Sequence, residues 1–220
     1  MSKFDAFHAL EEKKQQRILD AALQEFGQKS YKKASTNIIA KNAGIGKGML
    51  FYYFGSKEEL FHFICEYTLE FARHELIGKF TCTSRDFMER QKELVMFKAQ
   101  IIQEYPLMMA FFESLYQPEN AKCVEQYMEV IQTGRQEFLG KLYDDVDESL
   151  FLDDIDSERA MKYLSWIIKS YTDELEEKWS SGEMSAAERE EEMKNEWKHY
   201  DVFMNDLRLL FYKKNTETEE

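Results

Sequence analysis

The sequence predicts an all-α protein, and three observations support this class. The 220 residues include only nine glycines and two prolines, too few for the many tight turns of a β-sandwich or barrel. Hydrophobic residues make up 44% of the chain, which is enough to form a substantial core. They recur mainly at intervals of three and four residues, the period of an amphipathic helix.

Three short helices are predicted before residue 55. The first covers about residues 10–26, with Gly27 near its C-cap. The second covers about residues 35–44, and the third, rich in aromatic residues, covers 46–54. The short connection between the second and third helices is typical of a helix-turn-helix, in which the third helix enters the major groove of DNA.

Longer helices are predicted from residue 56 onward. A capping box at residues 56–59 begins the fourth helix. Two further helices, at about 84–105 and 106–117, each end against a proline. A stripe of apolar residues predicts the next helix: 124, 128, 131, 138 and 142. Residues 157–180 repeat this pattern, and the last helix has apolar residues at alternating steps of four and three: Met193, Trp197, Tyr200, Met204, Leu207 and Phe211.

Charge is distributed unevenly along the chain. The formal net charge is −13, which by itself argues against a nucleic-acid partner because DNA binding depends on cationic side chains. Residues 1–57 nevertheless contain ten Lys or Arg against five Asp or Glu. A basic N-terminal module joined to an acidic body indicates that one end of the protein binds a polyanion.

The third helix has two interpretations. Leu50 and Phe54 suit a core, whereas Lys47, Tyr52 and Tyr53 point away from it. Lysines and tyrosine hydroxyls bind phosphates, so this second face suits DNA. The alternative is a helical hairpin that only packs on the body. We favour the DNA-binding interpretation.

Residues 17–60 closely resemble the DNA-binding domain of TetR-family transcriptional regulators. Three motifs carry the resemblance: IxxAAxxxFxxxxY from Ile18, TxxIAxxAGI from Thr36, and GxL[YF]xYFx[ST]KxxL from Gly48. The sequence departs from the usual pattern at Gly46, where Ser is common, and at Phe51, where Tyr is common.

The resemblance implies roles for individual residues. Three match family positions that bind phosphates: Thr36, Tyr53 and Lys57. Four match positions nearest the base edges or the adjoining backbone: Lys47, Gly48, Met49 and Tyr52. Asn37 matches a position from which some relatives reach toward the groove.

The resemblance also implies an organisation and a mechanism. Residues 1–55 are expected to form an N-terminal three-helix helix-turn-helix DNA-binding domain, and residues 56–220 a C-terminal helical ligand-binding and dimerisation domain. We expect a non-enzymatic cytoplasmic homodimer, without a cofactor, that represses transcription from a palindromic operator in double-stranded DNA. A small-molecule effector would release it. Two alternatives stay open: control by a protein partner, and an enzyme that modifies small molecules.

The body is rich in methionine and aromatic residues that suit an adaptable hydrophobic pocket. The predicted ligand-binding residues are Met108, Phe112, Tyr127, Met128, Arg135, Tyr163 and Trp166. Core packing is the alternative for each apolar member. For Arg135, the alternatives are a buried cation that recognises an anion and an apolar stem whose guanidinium reaches water; we favour the second.

The last two helices predict an interface between protomers. Each apolar stripe can pack against the other within one chain, but Trp166, Phe203 and Leu210 indicate a second apolar face, which suits a four-helix dimer interface.

Other chemistry finds little support in the sequence. His62 and Glu66 have the spacing of a metal-binding pair, but without a third ligand a pair on the helix surface is favoured and no metal is expected. The three cysteines do not suggest a disulfide framework. The chain shows no apolar segment long enough to span a membrane and no signal-peptide pattern at its start.

Overall fold

The structure is a computed structural model that describes residues 4–180 and 186–214, including all their side chains except those of 176–194. Every regular element in these ranges is a helix, apart from an isolated antiparallel bridge between Phe151 and Tyr212. The predicted all-α class is therefore confirmed. None of the described helices is both long and apolar enough to cross a bilayer.

The described residues form two compact units. Unit 1 comprises residues 4–80 and 97–139, and unit 2 comprises 81–96, 140–180 and 186–214. This division is based on packing. The functional boundary that we predict after residue 55 stays a prediction.

Unit 1 contains most of the helices. They are α1 (Asp5–His8), α2 (Glu12–Lys33), α3 (Thr36–Asn42), α4 (Lys47–Phe54), α5 (Lys57–Phe71), α7 (Pro106–Ser114) and α8 (Ala121–Val124). A π-helical segment, Ala72–Gly78, follows α5, and a 3₁₀ turn, Glu125–Tyr127, follows α8. Two helices have residues in both units: α6 (Phe87–Glu104) and α9 (Met128–Tyr143).

The core of unit 1 brings α2 and α7 close together. Ile18, Ala22 and Phe26 of α2 are fully buried. The backbone of Phe111 lies so near Gly27 that a Cβ there would stand 3.3 Å from its nitrogen. The prediction that the first helix ends at Gly27 is therefore wrong: α2 continues to Lys33, and the glycine permits close approach of α7.

A kink interrupts α2 near its end. Ser30 has φ 60° and ψ 161°, a conformation that is strained for a residue with a side chain. The buried Asn120 holds the chain there: its Oδ1 accepts the Tyr31 N–H at 2.8 Å, and its Nδ2 donates to the Ser114 carbonyl at 2.9 Å. The last turn of α2 is thus fixed to the segment that follows α7.

Unit 2 contains α10 (Ser157–Ser180) and α11 (Ala186–Phe211). The predicted stripes are confirmed in part: α10 buries Met161, Leu164 and Ile168, whereas the later stripe members Tyr171 and Leu175 are half-buried. On α11, three stripe members are buried: Tyr200, Met204 and Leu207. The side chain of Met193 lies outside the described residues.

Buried Arg90 fixes the beginning of α6 to the end of α9. Its guanidinium donates to the carbonyls of Leu142, at 3.2 Å, and Asp144, at 2.5 Å. Its Nε donates to the Ser84 carbonyl. The last carbonyls of a helix have no partner within it, and Arg90 supplies partners at this end.

Candidate nucleic-acid interface

The turn between α3 and α4 has the geometry of a helix-turn-helix connection. Gly44 has φ +67°, a conformation that glycine adopts without the steric cost of a Cβ. The Ile45 N–H donates to the Ala40 carbonyl across this turn. Ile39 on α3 and Leu50 on α4 are buried, so the two helices share a core that fixes their mutual orientation.

One face of α4 is exposed to solvent. Lys47, Gly48 and Met49 form its first turn and are all exposed. Tyr52, one turn further on, is 69% exposed. A cation, an unhindered backbone, a thioether and a phenol therefore lie on one accessible helical face, which can approach the edges of base pairs.

The beginning of α3, the helix before α4, carries two further predicted DNA-binding residues. Thr36 is half-buried in the first turn of α3, and Asn37 is exposed. The Ser35 N–H, at the N-cap, donates to Glu25 Oε1 at 2.9 Å. Glu25 is buried on α2. Its carboxylate therefore fixes the N-terminus of α3, the helix that carries Thr36. Sequence analysis did not identify this role of Glu25. The available signal was an acidic residue among the buried positions of α2.

Tyr53 differs from its sequence interpretation. We expected it to be exposed with Lys47 and Tyr52, but it is only 4% exposed. Its ring packs edge-on to Phe54, and its hydroxyl accepts a hydrogen bond from Lys14 Nζ at 3.2 Å. The reason is the helical period: Tyr53 lies three residues after Leu50 and shares its buried side.

Lys57 begins α5, immediately after the N-cap Ser56, whose Oγ accepts the Glu59 N–H at 3.0 Å. The ammonium of Lys57 lies 4.8 Å from the centre of the Tyr31 ring and donates to the Lys32 carbonyl at 3.3 Å. Partial burial lowers the pKa of Lys57. These contacts orient the ammonium next to the turn between α2 and α3.

Four of the predicted ligand-binding residues pack within unit 1. Met108 is buried, and its sulfur accepts a hydrogen bond from Thr68 at 3.3 Å. Phe112, Tyr127 and Met128 are half-buried and pack against the unit's core. Burial raises the pKa of Tyr127.

The other three are exposed. Arg135 is an exposed residue of α9, which agrees with the favoured interpretation of a guanidinium in water. Tyr163 and Trp166 are 40% and 59% exposed on α10, in unit 2. Two surface clefts, of about 320 and 260 Å³, are lined by other residues. The seven predicted ligand residues therefore do not line one cavity within either unit.

His62, which the sequence offered as half of a metal-binding pair with Glu66, contacts other side chains. Its Nδ1 lies 3.1 Å from the Tyr127 hydroxyl and 2.8 Å from Gln126 Nε2. Its Nε2 lies 4.0 Å from Glu58. Among the residues that the structure describes, no three His, Cys, Asp or Glu side chains are grouped to hold a metal ion.

The geometry of α2, α3 and α4 defines the class of this domain as a helix-turn-helix. Comparison with known proteins then shows which family this domain is similar to. Residues 18–64 match the family described as bacterial regulatory proteins, tetR family. The match covers the helix-turn-helix domain and the beginning of α5, about a fifth of the chain.

Individual proteins are similar to the chain over different lengths. Over 44 residues the chain is 46% identical to the uncharacterized HTH-type transcriptional regulator YhgD of Bacillus subtilis, a match that covers 20% of this chain and 23% of that protein. A TetR-family regulator from Chloroflexus aurantiacus has a similar structure, with a TM-score of 0.62, 19% identity and coverage of 96% of this chain and 98% of the other. The ketosteroid transcriptional regulator KstR2 of Mycobacterium tuberculosis is also similar in structure, with a TM-score of 0.53 and 19% identity. That match covers 93% of this chain and 97% of the other.

Proposed function

We propose that this protein is a sequence-specific DNA-binding transcriptional repressor that acts in the cytoplasm as a homodimer. The observation that carries the proposal is the exposed face of α4 with Lys47, Met49 and Tyr52. Lys57, which begins the next helix, adds an ammonium oriented by the Tyr31 ring. Phosphate contacts from Thr36, Tyr53 and Lys57 position the domain, and the α4 face reads the bases.

The operator is proposed to be a palindrome. A two-fold dimer presents two copies of α4, so the half-sites lie about 34–36 Å apart, one helical turn, or a near multiple of that distance. Selection from random duplex DNA with the full chain tests the proposal. Enrichment of a palindrome is the expected result, and enrichment of no sequence would contradict it.

Substitutions in the interface are expected to separate positioning from readout. Lys57→Ala should weaken binding to all duplexes about equally and reduce the slope of log affinity against log salt by about 0.9, the value for one phosphate. Lys47→Ala or Met49→Ala should change which bases are preferred. Titrations at several salt concentrations, together with repeated selection, measure both effects.

Lys98→Ala supplies a control for the loss of a positive charge. Lys98 is an exposed lysine of α6, outside the helix-turn-helix. Its replacement should leave both the salt slope and the preferred bases unchanged. If Lys57→Ala behaved like Lys98→Ala, the proposed phosphate contact would be wrong.

Release from DNA is proposed to follow binding of a hydrophobic or aromatic small molecule in the body. Met108, Phe112, Tyr127 and Met128 support this placement, because flexible or flat apolar side chains can rearrange around a ligand. The hydrogen bond between Tyr127 and His62 connects this cluster to α5, the helix that begins at Lys57. An effector shifts the dimer only by its differential affinity for the two forms, typically about 1–3 kcal/mol of coupling.

Met128→Trp is expected to abolish the response to an effector while leaving operator affinity near normal. The larger ring occupies space that the ligand needs, and residue 128 lies outside the helix-turn-helix. DNA affinity is measured with and without a ligand identified by thermal-shift screening. If ligands that stabilise the wild-type protein leave its operator affinity unchanged, control by a protein partner becomes the better proposal.

A further inference from the structure

The α2 helix places a lysine against the buried Tyr53. Lys14, in the first turn of α2, donates from Nζ to the Tyr53 hydroxyl at 3.2 Å. The same nitrogen lies 5.6 Å from the centre of the Tyr53 ring. The contact joins residues 39 positions apart, so it links the beginning of α2 to the last turn of α4.

The two side chains differ in their access to solvent. Tyr53 is 4% exposed, whereas Lys14 is half-buried. A lysine ammonium has three donor hydrogens, and the bond to Tyr53 uses one. Among the described residues, no carboxylate oxygen lies within 4 Å of Lys14 Nζ. The ammonium therefore keeps donors that an anionic ligand can use.

We infer that Lys14 contacts a backbone phosphate of the bound DNA and that Tyr53 acts mainly as a positioning residue for it. The inference rests on the proposed DNA-binding function and revises the part that Tyr53 plays in it. A nearly buried phenol offers a phosphate little surface, but its oxygen holds the flexible lysine stem in one place. The charge that meets the phosphate is then supplied by α2, a helix to which we assigned no DNA-binding residue.

Binding measurements with four variants test this inference. Lys14→Gln removes the charge and keeps a polar stem, Tyr53→Phe removes the hydroxyl, and the third variant combines both. The fourth, Lys13→Ala, is the matched control, because Lys13 is the exposed neighbour of Lys14. Each folded protein is titrated against the selected operator and against a mixed-sequence duplex of equal length, at several salt concentrations.

Removing the charge and removing the hydroxyl should have different signatures. Lys14→Gln should reduce the salt slope by about 0.9 on both duplexes and lower affinity roughly tenfold. Tyr53→Phe should lower affinity less and leave the slope unchanged, because the charge remains. The double variant should match Lys14→Gln, since two residues that act through one contact are not additive. Lys13→Ala should retain the wild-type slope.

Two results would overturn the inference: equal slopes for Lys14→Gln and Lys13→Ala, or effects of Lys14→Gln and Tyr53→Phe that multiply in the double variant. The Lys57→Ala protein distinguishes the failure of this inference from the failure of the proposed function. If Lys57→Ala reduces the slope and Lys14→Gln does not, only the inference about Lys14 fails. If the wild-type protein binds neither duplex, both fail.

Discussion

Placing charges on the exposed apolar face of α10 and α11 is expected to make the protein monomeric and to weaken operator binding by a factor on the order of 10²–10⁴, the gain that linking two binding modules provides. This face consists of six large apolar residues, each more than a third exposed: Tyr163, Trp166, Ile167, Val202, Leu209 and Leu210. Exposed apolar groups of this size indicate interaction sites. A second copy of the same helices covers them in the proposed four-helix interface.

The double variant Trp166→Glu, Leu210→Glu tests this expectation. Both side chains are well exposed, at 59% and 67%, so the fold of one protomer should tolerate the change. Val130→Glu is the control, since Val130 is an equally exposed apolar residue of α9 in unit 1. Sedimentation at micromolar concentration should show a monomer for the double variant and a dimer for the wild type and the control. A monomeric wild type, or a dimeric double variant, would contradict the proposed interface.

Trp166 also shows where the sequence interpretation was divided. We assigned it both to the ligand site and to a second apolar face. Its exposure, shared with Tyr163 one helical turn earlier on α10 and with the adjacent Ile167, supports the second assignment. Sequence periodicity identifies which residues share a helical face, but it does not determine whether a ligand, the core or another protomer covers that face.

Local patterns predicted much of the fold. The described members of the apolar stripes of α10 and α11 are buried or half-buried, and Ser56 caps α5 as expected. These features depend on residues close in sequence, because an N-cap bonds within its own first turn and a stripe follows one helical period. The exposed α4 face with Lys47 and Tyr52 was foreseen for the same reason.

Features that depend on distant residues were not predicted. Gly27 was interpreted as a helix end, whereas its role comes from the backbone of Phe111, far along the chain. The burial of Tyr53, with its hydroxyl bonded to Lys14, and the bond between Asn120 and Tyr31 likewise join segments that are remote in sequence. Tertiary packing overrides the local interpretation at such positions.

Replacing Arg90 is expected to have the largest effect on stability. Arg90 is only 5% exposed, and its guanidinium donates to backbone carbonyls. Arg90→Met keeps the apolar stem and leaves the Leu142 and Asp144 carbonyls without this donor. A buried acceptor that loses its partner costs about 1–3 kcal/mol, so the free energy of unfolding should fall by about 3 kcal/mol or more.

The neighbouring Arg85 provides a matched control for Arg90. It forms an ion pair of 3.1 Å with Asp145, but its side chain is 62% exposed. Exposed ion pairs contribute only about 0–1 kcal/mol, so Arg85→Met should change stability little.

Arg90→Lys should be intermediate, because an ammonium lacks the planar fork that reaches several carbonyls at once. Denaturant unfolding of the four proteins measures the differences. Equal free energies of unfolding for Arg90→Met and Arg85→Met would show that the carbonyl contacts of Arg90 do not contribute to stability as expected. The expected order instead makes the end of α9 depend on one side chain of α6, within the unit that also presents the proposed dimer face.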